Sequence, residues 1–380
     1  MIPIAKPWLG EEEKKAVLQV LDSGMLAQGK KVAELEKAFA EFIGVKHAIA
    51  TSNGTTALHA ALLAHNIGTG DEVITTPFSF IATANTISMC GAKPVFVDIE
   101  EESFNIDPEL IEKAITDKTK AIMPVHLYGR AANMNKIMEV ARRYNLIVIE
   151  DACQAHGAEY GIEFTETNET TKISETTKTN EASKTKTQKV GSFGTGCFSF
   201  YPTKNMTCGE GGMITTNDDA VAAKTRKIIA HGSEKRYYHD YLGYNYRMTD
   251  IAAAIGLEQL KKLPAFNEAR KKNALYFNDN LSNQTNIILP QMDEGHVFHQ
   301  YTIRVKNRDK VLEHLTANGI QTGVFYPVPI HQQKSFSEYN QQSFPIAEKI
   351  AQEALSIPVH PQLSDEDKYF IVNTLREINP

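Results

Sequence analysis

From residue 48 to residue 150 the chain alternates short apolar runs with amphipathic stretches. Residues 72–76, 93–99, 121–126 and 146–150 are short and mostly apolar or β-branched, which predicts buried strands. Between or before them, 57–64, 82–90, 108–115 and 134–144 predict helices, the third with proline in its first turn. Near-continuous apolar strands separated by such helices predict a mostly parallel sheet covered on both faces. Two further helices, 11–22 and 31–43, come first. In the second, Val32, Leu35, Ala38, Phe39 and Phe42 share a face, and Gly44 follows as a C-cap glycine would.

Beyond residue 160 the pattern breaks. Residues 162–188 are dominated by threonine, lysine, glutamate and serine, and from Thr165 only Ile173 and Ala182 are apolar. No core can be built from that composition, so a weakly ordered surface excursion is expected. A strand at 213–216 and a helix at 218–230 follow. Residues 231–247 are loop-like and rich in tyrosine and charge, a composition common at interfaces. A helix at 250–262 is expected to be interrupted at Pro264, with 268–281 continuing the pattern. Strands 299–305 and 322–326 and helices 310–318, 346–354 and 365–378 then predict a smaller α+β domain. Ser364-Asp-Glu-Asp367 reads as a capping box for the last helix. The expected division is a large α/β domain over 16–250 and a smaller α+β domain over 251–380, joined by the N-terminal segment 1–15.

Composition narrows the function classes. The 380 residues suffice for two domains, and 42% hydrophobic with 23% charged residues is the balance of a soluble globular protein. A net charge of -6 argues against a general nucleic-acid or anionic-membrane surface. No apolar run reaches the roughly eighteen residues of a membrane span, and the first residues lack the pattern of a signal peptide. Four cysteines without CxxC spacing offer neither a zinc ribbon nor a disulfide framework, so no metal site is expected. A cytoplasmic protein is the expectation.

In parallel sheets ligands gather at the C-terminal ends of strands. Gly54-Thr55, Phe78–Phe80, His126–Tyr128 and Asp151–Gln154 fall there. The small residues Ser52-Asn53-Gly54-Thr55-Thr56 open a helix, and read either as a phosphate site or as an ordinary capped turn. Asp151 ends a buried strand and needs a partner: a helix N-terminus, a lysine or a ligand. Cys197–Tyr201 reads as a buried strand end, broken by Pro202 and followed by Gly209, Gly211 and Gly212. Lys204 sits in that break. It is either a surface lysine or a partly desolvated amine with a lowered pKa, poised for Schiff-base formation with an aldehyde. A ligand meeting all four requirements carries a phosphate (Gly54, Thr55, Thr56, with Ser199), a flat ring (Phe80), a basic ring nitrogen (Asp151) and an aldehyde (Lys204). Pyridoxal 5'-phosphate has these features.

The chain resembles the DegT/DnrJ/EryC1/StrS sugar aminotransferases, within the fold type I, aspartate aminotransferase-like, pyridoxal-phosphate enzymes. The carriers are Gly24-Met-Leu-Ala-Gln-Gly29, Thr51-Ser-Asn-Gly-Thr-Thr-Ala-Leu58, Thr76-Pro-Phe-Ser-Phe-Ile-Ala-Thr83 and Pro124-Val-His-Leu-Tyr-Gly129. Further ones are Glu150-Asp-Ala-Cys-Gln-Ala-His-Gly157, Gly191-Ser-Phe-Gly194, Phe198-Ser-Phe-Tyr-Pro-Thr-Lys204, Gly243-Tyr-Asn-Tyr-Arg-Met-Thr249 and Gly323-Val-Phe-Tyr-Pro-Val-Pro-Ile-His331. The resemblance implies that Lys204 bonds the cofactor aldehyde and moves the substrate proton. It implies that Phe80 stacks on the ring, Asp151 binds its nitrogen and Gln154 contacts its hydroxyl. Gly54, Thr55, Thr56 and Ser199 would hold the phosphate. Asn245 would reach the phosphate in the neighbouring subunit of a homodimer, and Tyr201, Tyr326 and His331 would face the sugar.

The implied reaction is ping-pong transfer of an amino group from L-glutamate to a nucleotide-linked 4-keto-6-deoxyhexose or 3-keto sugar. Relatives that replace the lysine with histidine are dehydratases, and Lys204 is kept here. The chain departs from the family in the 162–188 insertion and in Thr195, where aspartate is usual. The insertion is expected not to cover the site, so that deleting 165–187 leaves activity near the parent's. Two other functions stay open: the same chemistry on a non-sugar ketone or amino-cyclitol, and a catalytically silent ligand-binding regulator.

Overall fold

The computed structural model describes residues 1–164, 184–235 and 237–378. The chain opens with helices α1 (Glu11–Ser23) and α2 (Lys30–Ile43). Strand β1 (His47–Thr51) leads into α3 (Gly54–Ala64), followed by β2 (Glu72–Thr75), α4 (Ala82–Met89), β3 (Lys93–Phe96) and α5 (Pro108–Ile111). Then come β4 (Thr119–Ile122), α6 (Met134–Tyr144) and β5 (Ile147–Asp151). β6 (Glu159–Phe164) and β7 (Lys184–Lys189) pair as an antiparallel ribbon. The two ends of the 162–188 stretch, expected to be weakly ordered, are strand, and residues 165–183 lie outside the described residues. β8 (Thr195–Ser199), β9 (Gly212–Thr216) and α7 (Asp219–Ile229) follow.

The main sheet has seven strands in the order β1-β9-β8-β5-β4-β2-β3. β8, β5, β4, β2 and β3 are mutually parallel, while β9 runs against both its neighbours. No helix lies between β8 and β9, so the chain returns through a glycine-rich turn, and a direct return gives an antiparallel pair. Gly212 makes the return fit, since a Cβ there would lie 2.3 Å from the Asn53 carbonyl oxygen.

Alternate residues of the strands feed two helical layers. Ala48, Ala50, Phe198 and Met213 pack with Val32, Leu35 and Phe39 of α2. Ile49, Cys197 and Ile214 pack on the other face with Leu58 and Leu62 of α3 and Val221 and Ile228 of α7. β1, β8 and β5 run in the same direction, so their C-terminal ends lie at one edge of the sheet.

Within 231–247, β10 (Ser233–Lys235) and β11 (Tyr238–His239) form a short ribbon where a loop was expected. Helix α8 (Asp250–Leu281) then runs 32 residues straight through Pro264. The expected break does not occur. An internal proline costs about 3 kcal/mol, but Leu260, Leu263, Phe266, Asn267 and Arg270 are buried on both sides of it. Stopping the helix would expose them, so packing outweighs the lost hydrogen bond.

The C-terminal part holds a three-stranded antiparallel sheet of β12 (Ile287–Ile288), β13 (Tyr301–Val305) and β14 (Ala354–Ile357). With it pack α9 (Arg308–Ala317), α10 (Pro345–Glu353) and α11 (Asp365–Arg376), the last with the expected Ser364–Asp367 capping box. Residues 322–326 form no strand. Only Gly323 pairs, exchanging hydrogen bonds with Ser356 at 3.0 and 2.8 Å, after which the chain turns inward. At the N-terminus Ile2 pairs with Ile320, tying the first residues to this part. No helix among the described residues is long and apolar enough to cross a membrane.

Candidate active site

Consecutive carboxylates at the end of β5 point to opposite faces. Glu150 is fully buried and accepts the backbone N–H groups of Gly191 (2.7 Å), Phe193 (2.9 Å) and Gly194 (2.9 Å). His126 completes the set, with Nε2 3.1 Å from Glu150 Oε2. Because Ala132 N–H donates to His126 Nδ1 at 3.0 Å, the ring hydrogen sits on Nε2 and is donated to Glu150. Every demand of a buried carboxylate is thus met, and the turn leading into β8 is fixed.

Asp151 faces the other way, into a cavity. Its Oδ2 accepts from Thr83 Oγ1 at 2.7 Å, and its Oδ1 from the Cys153 N–H at 3.3 Å. Thr83 spends its one hydrogen on Asp151, so Ser79, 2.9 Å away, donates to Thr83. The carboxylate is thereby oriented, with lone pairs left toward the cavity.

Lys204 lies beyond the end of the adjacent strand, where Phe198 and Phe200 anchor the chain edge-on against Phe39. Past Pro202 the loop is closed by Lys204 N–H to the Tyr201 carbonyl (2.9 Å), Cys208 N–H to the Phe200 carbonyl (3.0 Å) and Thr207 Oγ1 to the same oxygen (2.8 Å). Burial pushes the Lys204 ammonium below its usual range, opposed by the nearby Cys153 and Asp151. A lysine so placed is a better nucleophile near neutral pH.

The third wall is the start of α3, which begins at Gly54 rather than at 57. Its cap is Asn53, whose Oδ1 accepts the Thr56 N–H at 2.9 Å. The first residues of the helix line the cavity, at the positive end of its dipole. Gly54 is packed so closely that a Cβ would lie 2.7 Å from Ser199 Cβ and 3.0 Å from Cys153 Sγ.

These walls enclose a cavity of about 760 Å³. Ten of the twelve expected residues line it: Gly54, Thr55, Thr56, Phe80, Asp151, Gln154, Ser199, Tyr201, Lys204 and Tyr326. Phe80 and Tyr201 stand at its mouth, 54% and 48% exposed. Tyr326 is 6.0 Å from Phe80 between ring centres. Gln154 Oε1 accepts the Tyr128 N–H (3.0 Å), so its Nε2 donates to the Tyr326 hydroxyl (3.2 Å).

Two expected residues lie elsewhere. His331 does not line the cavity. The short turn Ile330–Gln332, tied by Ile330 N–H to the Pro77 carbonyl, tucks it into the core, where Nε2 is 3.1 Å from Glu348 Oε1 and the ring meets Phe344. Asn245 is exposed on the tyrosine-rich segment and accepts from Arg247 Nε at 3.2 Å. Sequence reasoning missed Thr83 and Ser79, which orient Asp151, and His299 and Gln300, which line the cavity from the C-terminal part. Thr83 carried a signal, lying one helical turn beyond the expected ring residue Phe80; His299 carried none.

A helix N-terminus stripped of side chain at Gly54, an oriented carboxylate with free lone pairs, an exposed aromatic face and a desolvated lysine fit a phosphorylated pyridine aldehyde. Fold and site together define a pyridoxal-phosphate aminotransferase. Residues 7–376 match the DegT/DnrJ/EryC1/StrS aminotransferase family, and the chain belongs to that family. It is 43% identical over 379 residues to a pleiotropic regulatory protein of Geobacillus stearothermophilus, covering 97% of this chain and 95% of that one. It is 40% identical over 390 residues to the GDP-perosamine synthase of Caulobacter vibrioides, covering 99% and 98%. The structure of NtdA from Bacillus subtilis with bound cofactor PMP superposes with a TM-score of 0.84 at 32% identity, over 96% of this chain and 81% of that one.

Proposed function

We propose that the enzyme transfers the amino group of L-glutamate to a keto group of a nucleotide-linked sugar, a 4-keto-6-deoxyhexose or a 3-keto sugar. The mechanism is ping-pong and serves amino-sugar and surface-glycan biosynthesis in the cytoplasm. The observation that carries this reading is the meeting of Lys204, Asp151 and the α3 N-terminus in one cavity wide enough for more than the cofactor. The Caulobacter relative, named for a GDP-linked amino sugar, supports the sugar.

Pyridoxal phosphate supplies an aldehyde and a ring that accepts electrons. In this reading Gly54, Thr55, Thr56 and Ser199 bind its phosphate, Phe80 covers the ring, and Gln154 lies on the side of the ring hydroxyl. Asp151 would accept the ring N–H and so favour a protonated nitrogen. Lys204 would hold the aldehyde, and its Nζ would be the group that moves the donor's α-proton. Tyr201 and Tyr326 receive the sugar. Burial holds the Tyr326 phenol above its usual range, and its oxygen already accepts from Gln154, so its O–H is free to donate to the substrate. His331, outside the cavity, takes no part.

A homodimer completes the site, with Asn245 on the exposed segment reaching the phosphate bound by the neighbouring subunit. Exposed Tyr238 and Leu242 on the same segment support a contact there. The two parts of the chain, 16–250 and 251–380, act as large and small domains, with 1–15 joining the smaller.

Borohydride reduction with pyridoxal phosphate should fix the cofactor on Lys204, read by peptide mass, and Lys204→Ala should capture none. Capture elsewhere overturns the assignment. A panel of GDP-, UDP- and dTDP-linked keto-sugars with L-glutamate then tests the substrate, and amination of none of them would move the reading to a non-sugar ketone or amino-cyclitol. The name of the Geobacillus relative favours a second reading, a ligand-binding regulator. That reading requires Lys204→Ala to keep the regulatory effect.

A further inference from the structure

His299 lines the cavity with Lys204, and its ring is buried, with the residue 5% exposed. The residue that follows Lys204 in the chain, Asn205, decides its tautomer. Asn205 Nδ2 donates to Asn267 Oδ1 at 2.8 Å and to the Val297 carbonyl at 3.0 Å. Its Oδ1, 3.2 Å from His299 Nδ1, can only accept. Nδ1 therefore carries the ring hydrogen, and Nε2 presents a lone pair. Arg270 fixes the backbone at the same point, donating to the carbonyls of Phe298 and His299 at 3.2 Å each. Burial, then the neighbouring Lys204 and Arg270, hold the imidazole well below its usual range, so the ring stays neutral at physiological pH. Among the described residues Nε2 meets only the Gln300 side-chain amide, at 3.5 Å, the outer limit of a hydrogen bond, and so has room for a stronger donor.

We infer that His299 is a positioning residue for the Lys204 amine, its Nε2 accepting a hydrogen bond from Nζ whenever that amine is free. This deepens the reading of Lys204 as the reacting amine and rests on it. A lysine on a flexible four-carbon stem has many rotamers, and an amine that must return to one reacting atom gains from a fixed acceptor. Asn205 supplies the coupling, since it joins the Lys204 backbone to the His299 ring. Asp151, Cys153 and His156 from the β5 end, Arg270 from α8, Tyr326, and Glu210 from the glycine turn also surround the lysine. Of the two that oppose the lowering of its pKa, Asp151 is oriented by Thr83 with its remaining lone pairs assigned above to the ring nitrogen, and Cys153 is a thiol whose own pKa burial raises.

Two substitutions separate the acceptor from the scaffold. His299→Asn places an amide donor where Nδ1 stood and leaves nothing at Nε2. His299→Gln reaches the Nε2 position with an oxygen. The full-length protein holding pyridoxamine phosphate, in which the lysine is free, is arylated with trinitrobenzenesulfonate across a pH series, and Lys204 is followed by peptide mass. His299→Asn should lower the Lys204 titration by about one pH unit, because an ammonium loses more than an amine when an acceptor goes. His299→Gln should titrate with the parent. A parent-like titration in His299→Asn, or equal shifts in both variants, overturns the inference.

A second measurement leaves His299 untouched. In cofactor-free protein the nitrogen-15 resonance of His299 Nε2 should move toward that of a free lone pair on Lys204→Met; an unmoved resonance also overturns the inference. Borohydride capture at Lys204 together with an unshifted titration removes only the role of His299. Absent capture removes the reading of the site itself.

Discussion

Thr83 Oγ1 donates a 2.7 Å hydrogen bond to Asp151 Oδ2, from the second residue of α4 to the last residue of β5. Both groups are buried, so the bond is made in a low-dielectric setting where an unmet acceptor is expensive. Thr83→Val keeps the shape and removes the hydrogen. It should destabilise the cofactor-free protein by about 1–3 kcal/mol in urea unfolding, while Thr83→Ser stays near the parent. Equal stability of the Val and Ser variants would deny the bond its role.

Gly54→Ala should act locally and on the ligand. Its Cβ meets Ser199 Cβ at 2.7 Å and Cys153 Sγ at 3.0 Å, so the first turn of α3 must shift away from β8. Overpacking of this kind costs about 1–3 kcal/mol. Titration with pyridoxal phosphate should show an affinity at least about tenfold weaker, the equivalent of 1.4 kcal/mol. Unchanged affinity would place the phosphate elsewhere.

The pH dependence of stability should report on Lys204. Its folded-state pKa lies below 10.5, so the unfolded chain binds more protons in the interval between the two values. The lysine therefore destabilises the fold fully below its folded pKa, and this penalty fades as pH rises to 10.5. Lys204→Met should be more stable than the parent at pH 7 in cofactor-free protein, with the difference shrinking toward pH 10.5. A difference that grows with pH would reverse the sign of the shift. The same variant should transfer no amino group.

Phe164 pairs with Lys184 at the end of the β6–β7 ribbon. Replacing 165–183 by Asn-Gly would close the strands with a two-residue turn whose twist suits them. The shortened protein should keep the parent's unfolding midpoint and kcat/KM. A large fall in kcat/KM with unchanged stability would assign the excised segment to the site.

Much of the fold was legible because burial leaves a period in the sequence. Ala48, Ile49 and Ala50 alternate between two helical layers, and the strands from β2 to β5 carry the same signature. Turn chemistry was legible at Gly44, Pro202 and Ser364 because one residue's backbone or side chain sets such geometry. Helix α8 was misread at Pro264, where a local propensity of about 3 kcal/mol lost to a row of buried side chains that the sequence does not locate. The strand Ala354–Ile357 was not predicted, and the expected helix 346–354 reaches only its first residue; a few apolar residues fit either period.

The sequence by itself determined the alternating α/β architecture, the order Gly54, Asp151, Lys204 along the chain, and the kind of ligand those residues suit. Periodicity and turn chemistry are local, and these conclusions needed nothing beyond them and a family likeness. Only the tertiary structure decided which side chains meet. It turned β9 against its neighbours, drew Glu150 and Asp151 to opposite faces, buried His331 away from the cavity and brought His299 beside Lys204. Each of these is a contact between distant residues, fixed by the summed packing of the whole chain.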